Sequence, residues 1–158
     1  MKEESARSAA ALIRRCRVAA LATLRRGAPS VSMVPYALTL DPFAVIIFVS
    51  ELAAHTGEMR ADPRVALLIT EPESVARPHE LARVSIEGTA AALRPDDARS
   101  APAQTAYLAR FPDANRLFDL GDFQLFAIAP AAVRVVAGFA RAASIAPALL
   151  AQCLAECR

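Results

Sequence analysis

Three polar side chains follow one apolar run and could together bind an anion. The run Ala44–Val49 predicts a buried strand, and the residues after it predict a short helix that begins near Glu51. Free N–H groups and the helix dipole make such a helix start attract a phosphate. The Ser50 hydroxyl can donate to the phosphate, and His55 or Thr56 can reach back toward it. The alternative is that Ser50 only caps the helix and that His55 is a solvated helix residue.

A second segment, Ser30-Val31-Ser32-Met33-Val34-Pro35, predicts an edge strand. Proline has no N–H to give to a neighbouring strand, so this strand must lie at the edge of a sheet or leave its pairing at Pro35. An edge with free backbone groups can hydrogen-bond the polar rim of a heterocycle. The alternative is an ordinary edge strand with a bulge.

The composition of the 158 residues argues against several classes of protein. The formal net charge is +2, which is too weak to indicate nucleic acid or an anionic membrane as a partner. Lys2 is the only lysine, so an anion site must use arginine, histidine, hydroxyl or backbone N–H groups. Cys16, Cys153 and Cys157 form no CxxC pair, and we expect neither a disulfide framework nor a metal site. The N-terminal residues predict neither a secretory signal nor a membrane span, so we expect a cytoplasmic protein.

The elements that position these side chains follow from hydrophobic periodicity and turn residues. Helices are predicted at Ser5–Cys16, at Glu51–Asp62, in Pro95–Leu120 with a break near Phe111-Pro112, and from Ser144 onward. Strands are predicted at Val18–Leu24, Ser30–Leu40, Ala44–Val49, Val65–Thr70, Leu81–Leu93, Asp122–Ile128 and Val133–Val136. Tight connections between the first three strands predict an antiparallel meander. A turn at Pro130 is expected between the last two strands. Gly88 predicts a bulge or bend in its strand.

This element order excludes a Rossmann fold, because βαβ alternation and a GxGxxG sequence are both missing from the chain. Six or so strands with helices at their edges predict a closed or half-closed barrel of the α+β class. The chain contains no internal repeat or linker, so we expect one domain over residues 1–158, with an N-terminal helix to residue 16 and a helical tail from residue 144.

Several short pieces occur along the chain in an order that is specific as a set, although none is diagnostic alone. They are Ala22-Thr23-Leu24, Ser32-Met33-Val34-Pro35-Tyr36, Ser50-x-Leu52-Ala53-x-His55-Thr56, Ala61-Asp62-Pro63-Arg64-Val65, Tyr107-Leu108-Ala109-Arg110-Phe111-Pro112, Gly121-Asp122-Phe123 and Val136-Ala137-Gly138-Phe139-Ala140-Arg141-Ala142. From Val18 to Arg141 the chain thereby resembles the pyridoxamine 5'-phosphate oxidase-related FMN-binding split barrels. Within them it is most similar to the HugZ-like haem-utilisation subgroup.

The resemblance implies a six-stranded, antiparallel, Greek-key-like barrel with flanking helices. It also implies a homodimer with two FMN sites at its interface. The backbone of Ser30–Pro35 would then run beside the isoalloxazine. Val49 and Ser50 would approach the flavin and its ribityl phosphate, and His55, with Thr56 next to it, would stand where many relatives place a phosphate-binding lysine.

Three further residues are implied only by the resemblance. Arg83 lies on the following barrel strand, where a polar side chain faces the cofactor, and Phe139 and Arg141 would reach over from the other subunit. Two positions depart from the family pattern. His55 is a weaker phosphate partner than lysine, and Ala140 replaces a glycine often found there.

The resemblance predicts an FMN-dependent oxidoreductase that acts on an unidentified small molecule. Vitamin B6 chemistry is disfavoured, since the tail after Arg141 holds no histidine and Arg158 as its one basic residue. The alternative is a haem-binding or haem-degrading protein, which needs an axial ligand from His55 or His79. A third interpretation is a barrel without cofactor that serves as an interaction module.

Overall fold

The computed structural model describes residues 1–73, 77–138 and 141–157, and within them eight strands form one antiparallel sheet. The strands are β1 (Val18–Arg25), β2 (Ala28–Pro35), β3 (Ala37–Leu40), β4 (Phe43–Ser50), β5 (Arg64–Thr70), β6 (Arg83–Ala92), β7 (Phe123–Val136) and β8 (Ala142–Ile145). The α-helices are α1 (Lys2–Arg15), α2 (Ala54–Ala61), α3 (Ser100–Arg110), α4 (Asn115–Leu120) and α5 (Pro147–Glu156), and Pro78–Glu80 and Pro112–Ala114 are short 3-10 helices. The predicted α+β class is confirmed, with eight strands instead of six.

Pro35 divides the predicted strand Ser30–Leu40 into two strands that lie at opposite ends of the sheet. The strand order is β2-β1-β5-β6-β7-β4-β3, and β8 pairs with β7. The predicted meander is therefore wrong, because three strands separate the β1–β2 hairpin from the β3–β4 hairpin. Pairing of β2 with β1 ends at Pro35, as its missing N–H predicts. Within the described residues no ladder joins β2 to β3 or β4, so the sheet stays open.

The chain crosses from one end of the sheet to the other at Tyr36, which is fully buried. Its hydroxyl lies 2.6 Å from the carbonyl oxygen of Ile13 and 2.8 Å from that of Cys16, and it donates to this pair at the end of α1. Free carbonyls at a helix C-terminus need such donors. The crossing is thereby tied to the N-terminal helix.

The predicted turn at Pro130 is wrong, because β7 is continuous from Phe123 to Val136. Pro130 lies opposite Gly88, where the β6–β7 register shifts. A Cβ on Gly88 would stand 2.5 Å from the carbonyl oxygen of Ala129, so only glycine allows this close approach. The shift confirms the predicted bulge at Gly88. Because of this bulge, β7 can contain Pro130 and still continue as one strand.

The starts of four helices differ from the predictions, and one of them is α3, which begins at Ser100 instead of Pro95. α1 begins at Lys2, and the Ser5 hydroxyl donates to the carbonyl oxygen of Met1 (3.1 Å) instead of capping the helix start. α2 begins at Ala54, and the tail from Ser144 first completes β8 before α5 starts at Pro147. No helix in the described residues is long and apolar enough to cross a bilayer.

Among the described residues, apolar side chains build two buried layers and also an exposed surface. One layer lies between the sheet and helices α1 and α5, and the other lies under α3 and α4, where Phe48 stacks on Phe118. The outward face of β2, β1 and β5 is uncovered in the described residues. We call this surface the outer patch, and its members are Val31, Met33, Ala20, Ala22, Ala66 and Leu68.

Candidate functional site

The first turn of α2 packs against β2 and brings together the two polar segments that the sequence singles out. Ser32 lies on the free-edged strand β2, and its Oγ is 3.0 Å from Nδ1 of His55. Both side chains are half-buried. The contact leaves Nε2, the other ring nitrogen of His55, for a ligand.

The loop between β4 and α2 is held by two further hydrogen bonds. Thr56 is fully buried, and its hydroxyl donates to the carbonyl oxygen of Ser50 at 2.6 Å. The Ser50 hydroxyl oxygen accepts the N–H of Leu52 at 3.1 Å. Thr56 thus donates its single hydroxyl hydrogen within the loop, whereas Ser50 can still donate its hydroxyl hydrogen to a ligand. Ser50 does not cap α2, whose N-cap is Ala53.

A buried carboxylate that is not among the predicted site residues lies one helical turn after His55. Glu58 is 8% exposed; it accepts a hydrogen bond from Thr23 Oγ1 at 2.5 Å and one from Arg25 Nε at 2.7 Å. These two bonds, with a smaller contribution from Ser30, hold the pKa of Glu58 below its usual value. Two signals could have revealed it. Thr23 is a polar residue inside the first apolar strand, and His55 and Glu58 are spaced i, i+3 on one helix.

Burial lowers the pKa of His55 below its ordinary value, and the negative charge of Glu58 partly opposes that shift. A half-buried imidazole loses hydration when it carries a proton, so its neutral form is favoured. Near neutral pH the site therefore presents an uncharged imidazole. A neutral ring is a good metal ligand and a weak partner for a phosphate.

The other predicted residues of β2 and β4 are distributed over two faces. Val31 is 73% exposed and Met33 is 63% exposed, and both point away from His55 on the outer patch. Val34 and Val49 are buried in the core. Ser30 is half-buried on the same face of β2 as Ser32, directly opposite Thr23 of β1.

Neither of the two arginines implied by the resemblance joins this cluster in the described part of the chain. Arg83 donates to the carbonyl oxygen of Leu81 at 3.0 Å, on a strand that β1 and β5 separate from β2. Three strand spacings place the two strands roughly 14 Å apart. Arg141 pairs with Glu4 of α1 at 2.5 Å in an exposed position. Phe139 lies outside the described residues.

The donor set fits a metal-centred ring better than it fits a phosphate. For a phosphate, the cluster offers the Ser50 hydroxyl and His55, while Glu58 places a negative charge one turn away. For a metal-centred ring, it offers a positioned imidazole nitrogen and the 90% exposed side chain of Leu52, three residues earlier in the chain. In the described residues no group of three or more His, Cys, Asp or Glu side chains could hold a metal ion without such a ring.

An apolar cavity of about 390 Å³ lies elsewhere, where the start of α3 meets the β3–β4 turn. Its lining includes Phe43, Ile46, Ala91, Pro102 and Ala127. None of the predicted site residues lines it, and Arg99 at its rim is already paired with Asp97 at 2.8 Å. The candidate site is therefore the cluster around His55.

Comparisons with known proteins agree with this fold. Residues 6–137 match the family model described as Pyridoxamine 5'-phosphate oxidase. The non-canonical heme oxygenase HOZ, chloroplastic, of Arabidopsis thaliana is 38% identical over 117 residues, which cover 73% of this chain and 34% of that protein. This chain therefore spans about one third of the length of that curated relative.

Two solved structures are similar over most of the chain. A heme binding protein from Mycobacterium smegmatis is 32% identical, with a TM-score of 0.81, over 96% of this chain and 60% of that one. HutZ from Vibrio cholerae, described as a heme storage protein, is 22% identical with a TM-score of 0.70, over 77% of this chain and 86% of that one. The HutZ likeness concerns the fold alone. Together these matches confirm the predicted split-barrel fold.

Proposed function

Since the chain belongs to the pyridoxamine 5'-phosphate oxidase family, we propose that it is a haem-binding protein of that fold, in which His55 would hold the iron. The observation that carries this proposal is the 3.0 Å contact between His55 Nδ1 and Ser32 Oγ. Haem bound there would supply an iron centre that can bind and activate dioxygen.

The contact with Ser32 prepares the imidazole for coordination. When Nδ1–H donates to Ser32 Oγ, the proton is on Nδ1 and Nε2 keeps its lone pair. Metal-ligating histidines commonly have their second ring nitrogen fixed in this way, which sets the tautomer and the ring orientation. The favoured neutral form of His55 supports the same role.

The surroundings of His55 suit the apolar face of a macrocycle more than a phosphate group. Leu52 exposes 90% of its surface just before α2, and a buried carboxylate lies behind the helix turn. The names of the Arabidopsis and Mycobacterium relatives point to haem as well, and this supports the proposal without extending the relatives' full activity to this chain.

A haem titration of the purified protein tests the proposal. We expect the wild type to produce a Soret band that saturates at one haem per chain, and His55→Ala to lose it or weaken binding by more than tenfold. His79→Ala is the matched control, because His79 is an exposed histidine in the loop before β6. Equal binding by both variants, or no Soret band in the wild type, would show that the proposal is wrong.

A flavoprotein is the second candidate function, and the geometry of β2 favours it. β2 pairs with β1 on one edge, and in the described residues its other edge has no partner strand to occupy the backbone groups. Such an edge can hydrogen-bond a flavin, which would make the chain an FMN-dependent oxidoreductase acting on a small molecule. An FMN titration, followed by the quenching of flavin fluorescence, distinguishes this candidate from haem binding.

We also propose that the outer patch is the interface of a homodimer. Val31 and Met33 face Ala22 and Ala20 across the β1–β2 ladder, so the patch is continuous over neighbouring strands. Polar Ser85 and Glu87 bound it on β6. An apolar centre with a polar rim is typical of protein interfaces, and a two-fold pair covers the same surface on both copies.

A further inference from the structure

We propose that Glu58 determines which class of cofactor this site accepts, by excluding a phosphate-bearing cofactor such as FMN from the space beside His55. The inference depends on the proposed location of the cofactor site, but it does not depend on haem being the cofactor. Glu58 acts here as a specificity-determining residue and not as a catalytic one.

The packing of α2 on the β1–β2 hairpin sets the position of this carboxylate. His55 and Glu58 are separated by one helical turn, which places their Cβ atoms roughly 5–6 Å apart on one face of α2. His55 contacts Ser32 on β2, and Glu58 contacts Thr23, the residue paired with Ser30 in the β1–β2 ladder. The carboxylate therefore lies beside His55, one helical turn along the same face of α2.

The positive partner of Glu58 cancels its charge at the site only in part. The Arg25 side chain is 62% exposed, whereas that of Glu58 is 8% exposed. The guanidinium thus lies toward solvent, where water screens it, and the carboxylate lies toward the protein interior. Glu58 also raises the pKa of His55, so its negative charge acts at the imidazole itself.

The hydrogen bonds of Glu58 keep it charged as well as fixed. Thr23 and Arg25 both donate to the carboxylate, and they lower its pKa. A phosphate within roughly 8 Å of a fixed like charge, at an effective dielectric constant of about 20, loses tenfold or more in affinity. A metal cation held at His55 suffers no such repulsion from the carboxylate.

The test compares FMN with riboflavin, because the two ligands differ only in the phosphate. Glu58→Gln keeps the shape and the acceptor for Thr23 but removes the charge, and we expect it to raise FMN affinity at least tenfold while riboflavin affinity changes less than twofold. Arg25→Gln breaks the same ion pair but leaves the carboxylate, and we expect no gain in FMN affinity. Asp62→Asn, which removes a carboxylate paired with Arg64 after the end of α2, is the matched control and should leave the FMN to riboflavin ratio unchanged.

Each outcome decides the matter. If Glu58→Gln gains no FMN affinity, or gains equally for riboflavin, the inference is wrong. A gain in Arg25→Gln as large as in Glu58→Gln would mean that loosening the ion pair, and not removing the charge, opened the site. The haem titration of the wild type reports separately on the proposed function, since failure of a Soret band leaves the flavin comparison readable.

Discussion

The imidazole of His55 lies 3.0 Å from the hydroxyl of Ser32, although 23 residues separate them in the sequence. One residue begins a helix and the other lies on an edge strand, and each alone reads as an ordinary surface residue. Their contact fixes the orientation of the imidazole ring and leaves its Nε2 atom for a ligand.

Replacing Ser32 should weaken haem binding without abolishing it. Ser32→Ala removes the group that fixes the ring of His55, and such outer partners of metal-binding histidines are typically worth about 10–100-fold in affinity. Haem titration of the variant measures the change, and Ser8→Ala, an exposed serine on α1, is the control. Unchanged affinity in Ser32→Ala would mean that the ring of His55 needs no support from β2.

The ligand-free protein should lose stability as the pH falls from 7.5 to 5.5, in part because of His55. Its pKa is lower in the folded chain than in the unfolded chain, so the unfolded chain takes up a proton first and is favoured by acid. This stability is present above about pH 6.5, the ordinary histidine value, and is lost below it. Asp62 and Asp97, with pKa values of about 2, titrate below this window.

Urea unfolding of the wild type and of His55→Gln at several pH values measures this effect. The variant should show a smaller drop in unfolding free energy over the window, and His79→Gln should behave as the wild type does. A drop of the same size in wild type and His55→Gln would show that the burial of His55 does not matter for stability.

A charge on the outer patch should separate the proposed dimer. Met33→Glu would place a carboxylate at an apolar interface, where it cannot be hydrated, and the expected light-scattering mass is that of a monomer. Leu120→Glu is the matched control, since Leu120 is 65% exposed against 63% for Met33 but lies on α4. If the wild type is a monomer, the proposed dimer is wrong. If the Met33→Glu variant remains a dimer, the outer patch is not its interface.

Local sequence patterns alone determine much of this protein. The alternation around Val84 and Ile86 predicts β6, the apolar run Ala44–Val49 predicts β4, and Pro35 predicts where a strand must leave its partner. These features depend on the spacing of apolar residues and on the missing N–H of proline. Both are local properties that the unfolded chain already has. The ordered short pieces also indicate the family, and the family match over residues 6–137 confirms it.

Tertiary structure decided the rest, because the responsible contacts are not local. The sequence around Pro130 predicts a turn, yet Pro130 lies inside the continuous strand β7. It can do so because Gly88 on β6 has no side chain and leaves room beside it. Glu58 reads as a solvated helix residue, yet it is buried because Thr23 and Arg25 of β1 satisfy its oxygens. A carboxylate tolerates burial only where such donors converge, and that convergence depends on which strand lies under which helix.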